Sequence, residues 1–271
     1  MLTGVTVLER ILAYKREEVR RASARLPAAV LAELLAGVSL PRDFVGALRD
    51  KDGVRIIAEI KRASPSRGVL RESLAGFEWR AEDIARQYDA AGAACLSVLT
   101  DVPSFWGCPD YLDAAREAVT IPVLRKEFIV DPYQVDESRW LGADAVLLMA
   151  SVLDEASLHR CAARALELGM GVLVEVHTDD ELPRALRVEA AVIGINHRDL
   201  RTLAIDADRA LRLRDKIPAD RLVVAESGLK TAADLQRLRA VGIHAFLIGS
   251  YLCAEADPGA ALKHLITGCG A

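Results

Sequence analysis

From residue 55 to residue 248 the chain alternates between two kinds of segment. Short, nearly continuous apolar runs occupy residues 55–61, 94–99, 122–125, 145–149, 171–176, 191–196, 221–225 and 245–248, and their starts lie 20 to 39 residues apart. Such runs suit strands covered on both faces, as in a parallel sheet. The stretches between them, for example 79–91, 154–168 and 231–241, carry helical periodicity. Several stop at a glycine (Gly92, Gly142, Gly169, Gly242) just before the next run, where a helix C-terminal glycine belongs. Eight such units predict an α/β chain closed into a (β/α)8 TIM barrel; a doubly wound open sheet is the alternative, and 271 residues in one domain favour closure. Residues 1–50 stand outside the alternation, with helices predicted over 5–23 and 27–35 and a short one over 43–48. The expected organisation is therefore a helical extension, 1–50, packed on the barrel at its bottom or over its rim, and a barrel catalytic domain, 51–271.

Composition narrows the function. There are 35 Lys and Arg against 39 Asp and Glu, a net charge of −4, so no bulk attraction to nucleic acid or to an anionic membrane is expected. The charged residues between Glu9 and Arg20 break any signal-peptide core, and the longest apolar runs are strand-sized. Five dispersed cysteines with no C-x-x-C pair read as free thiols in a reducing cytoplasm. His159, His177, His197, His244 and His264 show no ligand spacing, and no dinucleotide fingerprint is present, so neither metal nor organic cofactor is expected.

In a barrel the chemistry gathers at the C-terminal ends of the strands. The first run places Glu59 and Lys61 on one face and Ile56, Ala58 and Ile60 on the other. The third ends in Lys126-Glu-Phe128, the fifth in Glu175-Val-His177, the sixth in Asn196-His-Arg198 and the seventh in Glu226-Ser-Gly228. Charges at successive strand ends are costly to bury unless they are paired or used. Together they suit general acid–base chemistry without a metal. His177 is placed to tune a neighbour. The small-residue turns Ser64-Pro-Ser-Arg-Gly68, Ser227-Gly228 and Gly249-Ser250 suggest a phosphate site, the last two following strands seven and eight.

These residues carry a resemblance. Ile57-Ala-Glu-Ile-Lys-Arg-Ala-Ser-Pro-Ser-Arg-Gly68, Leu96-Ser-Val-Leu-Thr-Asp101, the segment from Pro122 to Gln134, Gly194-Ile-Asn196 with Arg198-Asp-Leu200, and Ala225-Glu-Ser-Gly228 resemble the indole-3-glycerol phosphate synthases, as does the opening helix around Ile11–Val19. Two positions depart from the family pattern: Cys108, where Ser is usual, and His197, where Asn is common. The resemblance implies a small-molecule substrate, anthranilate joined to an open-chain ribulose phosphate, which closes its ring and then loses carbon dioxide and water. It implies Lys126 as the acid for ring closure, Lys61 as substrate ligand and second acid, Glu175 as base, Glu59 and Glu226 as tuning carboxylates, and Asn196 as positioning the intermediate. Phosphate would be held by Lys61, Ser64, Ser227, Gly228, Gly249 and Ser250. The anthranilate ring would lie among Phe105, Phe128, Leu147 and Leu203, near Arg198. The length leaves no room for a second barrel, and association with other tryptophan-pathway enzymes stays open. Two rivals remain: a Schiff-base aldolase acting on a sugar phosphate, and a barrel that binds sugar phosphates only to regulate a partner.

Overall fold

The computed structural model describes residues 6–49, 53–70, 73–74, 77–200 and 202–270. Eight parallel strands form a closed barrel: β1 (Arg55–Ile60), β2 (Cys95–Leu99), β3 (Val123–Lys126), β4 (Ala145–Met149), β5 (Gly171–Val176), β6 (Val192–Asn196), β7 (Val223–Glu226) and β8 (Ala245–Ile248). Each strand pairs with its neighbours in sequence, and β8 pairs with β1, so closure leaves no free edge. Three helices precede the barrel: α1 (Val7–Arg25), α2 (Ala28–Leu34) and α3 (Phe44–Leu48). The others are α4 (Ala81–Ala90), α5 (Val102–Phe105), α6 (Pro109–Ala118), α7 (Tyr133–Trp140), α8 (Glu155–Glu167), α9 (Leu182–Leu186), α10 (Arg209–Arg214), α11 (Ala232–Arg239) and α12 (Pro258–Gly268). Two short antiparallel ribbons, Ala63–Ser64 with Gly68–Val69 and Ser73–Leu74 with Phe77–Glu78, lie between β1 and α4.

The predicted runs fall on the observed strands, with ends shifted by one or two residues. Lys61 lies just past β1 rather than within it, while β3 extends to Lys126 and β7 to Glu226. Helix starts follow local capping. The Thr6 hydroxyl accepts the Glu9 N–H (3.2 Å) and the Glu9 carboxylate accepts the Thr6 N–H (2.7 Å), a capping box that starts α1 at Val7. At the helix-to-strand turns Gly142 and Gly242 have φ of 89° and 82°, a region that favours glycine.

Strand alternation separates two apolar layers. Ile56, Ala58, Ile60, Val172, Val174, Ile193 and Ile195 point outward into the core beneath the helices. Ile57, Leu124, Leu147, Leu173, Val224 and Leu247 fill the barrel interior. Phe44 and Leu48 of α3 join that interior layer, so α3 plugs the bottom. Gly171, at the start of β5, makes room for it: a Cβ there would sit 2.9 Å from the Phe44 ring. Asp144 ties the segment before α3 to the same end, accepting the backbone N–H groups of Arg42 (2.9 Å) and Val123 (2.8 Å) and Nη2 of Arg116 (3.1 Å).

Helix α1 serves the other end. Its Val7, Leu8 and Ile11 line the cavity at the C-terminal rim. Lys15, 4% exposed, reaches Asp101 after β2 (3.0 Å), Glu127 after β3 (3.0 Å) and Glu18 (2.7 Å). The two placements weighed for the N-terminal helices, bottom and rim, are thus both occupied, by different helices. No helix among the described residues is long and apolar enough to cross a membrane.

Candidate active site

A cavity of about 420 Å3 opens at the C-terminal ends of the strands, within the usual size range for small-molecule sites. Four charged groups reach it from odd-numbered strands: Glu59 (β1), Lys126 (β3), Glu175 (β5) and Glu226 (β7). Each lies two residues beyond an interior apolar residue, Ile57, Leu124, Leu173 and Val224 respectively. Alternate strands of such a barrel contribute side chains to one layer. The charges therefore form the uppermost layer of the interior, above the apolar ones.

Lys126 is at the centre of that layer. Its Nζ donates to Oε2 of Glu175 (2.9 Å) and to Oε2 of Glu226 (3.0 Å), and it keeps 14% of its side chain exposed. Burial opposes the ammonium charge, but the Glu175 and Glu226 carboxylates outweigh it and hold the group above the ordinary lysine range. The two carboxylates are driven apart. Burial pushes Glu226 up, with Lys126 opposing and Glu175 adding to the rise. On Glu175 burial is overcome by Lys126 and His177, so its carboxyl is held well below the ordinary range. One partner thus carries the charge and the other tends to stay neutral. Oε1 of Glu226 is buried with no hydrogen-bond partner among the described residues. It packs against Gly194, where any Cβ would collide with it.

A second ion pair lies toward β8. Lys61 donates to Glu59, and its Nζ also reaches Oγ of Ser250 (3.2 Å). Gly249 is what lets Glu59 stand there, because a Cβ at 249 would meet its carboxylate. After β7, Ser227 and Gly228 both take positive φ, 66° and 78°. For a serine this conformation is strained by about 1–2 kcal/mol, a cost tolerated where the backbone has a task. Arg67 spans the mouth, its Nη1 donating to the Ser250 carbonyl (3.1 Å). Oδ1 of Asn196 accepts the Arg198 N–H (2.9 Å), and Nη1 of Arg198 donates to the Leu203 carbonyl (2.9 Å). Across the cavity the rings of Phe105 and Phe128 lie 6.0 Å apart, near Leu147.

The cavity wall thus brings together Glu59, Lys61, Ser64, Phe105, Phe128, Leu147, Lys126, Glu175, Asn196, Arg198, Leu203, Glu226, Ser227, Gly228, Gly249 and Ser250. His177 does not line it; it stands behind Glu175. His197 is buried, with Nδ1 3.0 Å from the Ser227 carbonyl oxygen, and Cys108 is the residue just before α6, with no side-chain capping bond. Sequence reading missed Val7, Leu8 and Ile11 of α1, and it did not single out Arg67, Leu200 or Lys230. Arg67 was legible, since it lies inside the Ser64–Gly68 turn; Val7 and Leu8 carried no signal beyond helical periodicity, and Ile11 lay in a family-like segment that pointed to no place in the site.

The sequence profile described as indole-3-glycerol phosphate synthase matches residues 8–265. The chain belongs to the indole-3-glycerol phosphate synthase family. It is a carboxy-lyase of tryptophan biosynthesis. It is 48% identical over 262 residues to an indole-3-glycerol phosphate synthase from Polaromonas sp., covering 96% of this chain and 97% of that one. The enzyme of that name from Polaromonas naphthalenivorans is also 48% identical, with 96% and 98% covered. Among solved structures, a 3-hexulose-6-phosphate synthase superposes with a TM-score of 0.62 at 18% identity, covering 79% of this chain and 99% of that one. At that identity the likeness concerns the barrel fold alone.

Replacing Gly249 tests the turn after β8. From the sequence, a bulky residue there is expected to weaken binding of both the substrate and inorganic phosphate. The structure adds a second effect, because Glu59 must also move. Gly249→Val should therefore raise KM and lower kcat together, for a loss of at least about tenfold in kcat/KM. Steady-state kinetics with the substrate and inhibition by inorganic phosphate separate the two; a pure KM effect would mean that Glu59 is not disturbed.

Proposed function

We propose that 1-(2-carboxyphenylamino)-1-deoxyribulose 5-phosphate reacts in this cavity with Lys126 as the acid for ring closure and Glu175 as the base. The observation that carries this reading is the Glu175–Lys126–Glu226 contact, which sets a charged ammonium and an ionised carboxylate side by side at the cavity floor. As the aromatic carbon attacks the ketone, the ketone oxygen gains negative charge, and Lys126 gives it a proton to make the hydroxyl. Carbon dioxide then leaves from the same ring carbon. Loss of water needs a donor for the departing hydroxyl and an acceptor for a proton. Lys61 serves as the donor and Glu175 as the acceptor. Glu59 holds Lys61, Glu226 holds Lys126, and Asn196 positions the intermediate.

The phosphate lies between Lys61, Ser64, Ser227, Gly228, Gly249 and Ser250, with Arg67 at the mouth. The anthranilate ring lies against Phe105, Phe128, Leu147 and Leu203, near Arg198 and under the α1 roof. Free thiols at all five cysteines fit a cytoplasmic enzyme. Every proton transfer is assigned to a side chain, and among the described residues no three His, Cys, Asp or Glu groups gather as metal ligands. Turnover followed by indole fluorescence should survive exhaustive treatment with a strong chelator. Activity lost on chelation and restored only by a divalent ion would overturn the metal-free scheme.

A further inference from the structure

We infer that His177 is a positioning residue for Glu175: its imidazolium, braced from behind by Glu181, holds Oε1 of the carboxylate so that Oε2 stays on Lys126 and the base stays charged. This rests on the assignment of Glu175 as the base. Nε2 of His177 lies 3.1 Å from Oε1 of Glu175, while Oε2 of Glu175 is occupied by Lys126 at 2.9 Å. Each carboxylate oxygen thus has a cationic partner beside it, Lys126 hydrogen-bonded to Oε2 and the His177 ring close to Oε1 as an ion pair without an aligned hydrogen bond. On its far side His177 has Nδ1 3.6 Å from Oε2 of Glu181, and the same oxygen accepts the His177 backbone N–H (2.7 Å). Glu181 is the residue just before α9, and its own N–H returns to the Thr178 carbonyl (3.3 Å). The four-residue turn therefore fixes the backbone at His177 and sets the Glu181 carboxylate beside the ring where β5 ends.

The surroundings favour a charged ring. His177 is 6% exposed and Glu175 is 2% exposed. Burial lowers the imidazole, but Glu175 and Glu181 outweigh it and lift the ring to about 9. Beyond Glu175 stand Lys126 on β3 and Glu226 on β7. On the β4 side Arg184 of α9 donates to the carbonyls of Ala150 (2.8 Å) and Leu153 (3.3 Å). On the β6 side His197 faces the Ser227 carbonyl and is held low chiefly by burial. No ion pair joins Arg184 or His197 to His177 among the described residues, so Glu175 and Glu181 set its charge. A neutral ring would turn a lone pair toward one of two carboxylates and would withdraw the positive charge that stands beside Glu175.

Removing the cation beside Glu175 raises the pH at which Glu175 takes up a proton. In His177→Asn the acid limb of the kcat profile should move up by about one pH unit or more, about tenfold in the ionisation constant, with KM kept within about threefold. Glu181→Gln keeps the ring but removes one anion. Its His177 resonance, identified by its absence in His177→Asn, should titrate at least about one unit below that of the parent enzyme. Because the ring is charged below its titration and neutral above it, kcat of Glu181→Gln should then fall as pH rises through that lower value. If His177→Asn does not fold, the resonance is identified by its absence in His177→Gln, and Glu181→Gln then carries the test. An acid limb left in place in His177→Asn, or a Glu181→Gln kcat that ignores the ring titration, overturns the inference. Glu175→Gln separates it from the assignment beneath: turnover kept within about tenfold would remove Glu175 as the base, whereas a dead Glu175→Gln beside an unmoved acid limb would leave the base in place and reject only His177.

Discussion

Lys126→Ala should lower kcat by about 10²–10⁴-fold, the usual contribution of a positioned general acid. The ammonium is the group that meets both Glu175 and Glu226, and those carboxylates keep it charged far above neutral pH. Deleting it removes the proposed donor and also leaves two buried carboxyls facing each other, so both should take up protons more readily. The base is then compromised along with the acid, which places the expected loss toward the upper part of the range. KM should stay within about tenfold, because Lys61, the backbone turns after β7 and β8 and the aromatic wall still hold the substrate. A KM effect with kcat unchanged would reassign Lys126 to binding. Borohydride added during turnover, followed by intact mass, addresses the aldolase alternative. An acid forms no reducible imine, and an adduct on Lys126 or Lys61 would replace the proposed mechanism with a Schiff-base one.

Lys15→Met should be the most destabilising single change at the rim. Lys15 is buried between Asp101, 0% exposed, and Glu127, 4% exposed. Breaking a buried ion pair by removing one partner typically costs about 3–5 kcal/mol. For a chain of this size that corresponds to a fall of roughly 5–15 °C in Tm. The loss should depend on pH. Burial works against the Glu127 charge, but Lys15 and Arg125 hold its carboxyl below the ordinary range, so its stabilising contribution is present at neutral pH and fades as pH falls through the depressed value. The difference between parent and variant should therefore be widest near neutrality and narrow in acid. A Tm unchanged at neutral pH would mean that α1 is not anchored through Lys15. The same contacts give a catalytic readout. Asp101 caps the helix that carries Phe105, accepting the Ser104 N–H (3.0 Å), and Oε1 of Glu127 accepts the Phe128 N–H (2.8 Å). Lys15 thus ties together the two loops that present the proposed ring pocket, and KM should rise with the loss of stability.

Most of the barrel was legible because its signal is local. A strand covered on both faces must be apolar along its length, and a helix must follow to cross back. Eight repeats of that pattern leave few ways to close a sheet. Alternation also separated the Glu59 face from the face of Ile56, Ala58 and Ile60, and the closed barrel turns the Glu59 face inward with Ile57. The charges at the strand ends stood out because a charge at the end of a buried run calls for an explanation.

What alternation along one strand does not contain is which charges meet. Lys126 touches Glu175 and Glu226, 49 and 100 residues away. Only closure sets β3, β5 and β7 in one layer, and there burial raises the Glu226 carboxyl while Lys126 and His177 hold that of Glu175 low. Helix α1 offers the same lesson. Its periodicity called for a helix but not for a roof, because which apolar face covers which end of a barrel depends on the packing partners. Ser227 at positive φ, Gly249 beside Glu59, and the Glu181 brace behind His177 are likewise results of distant surfaces coming into contact. Residue order along the chain determined the strands, their two faces and the family motifs. The protonation pattern and the α1 roof came from three-dimensional closure, because electrostatic and packing energies depend on distances through space rather than along the chain.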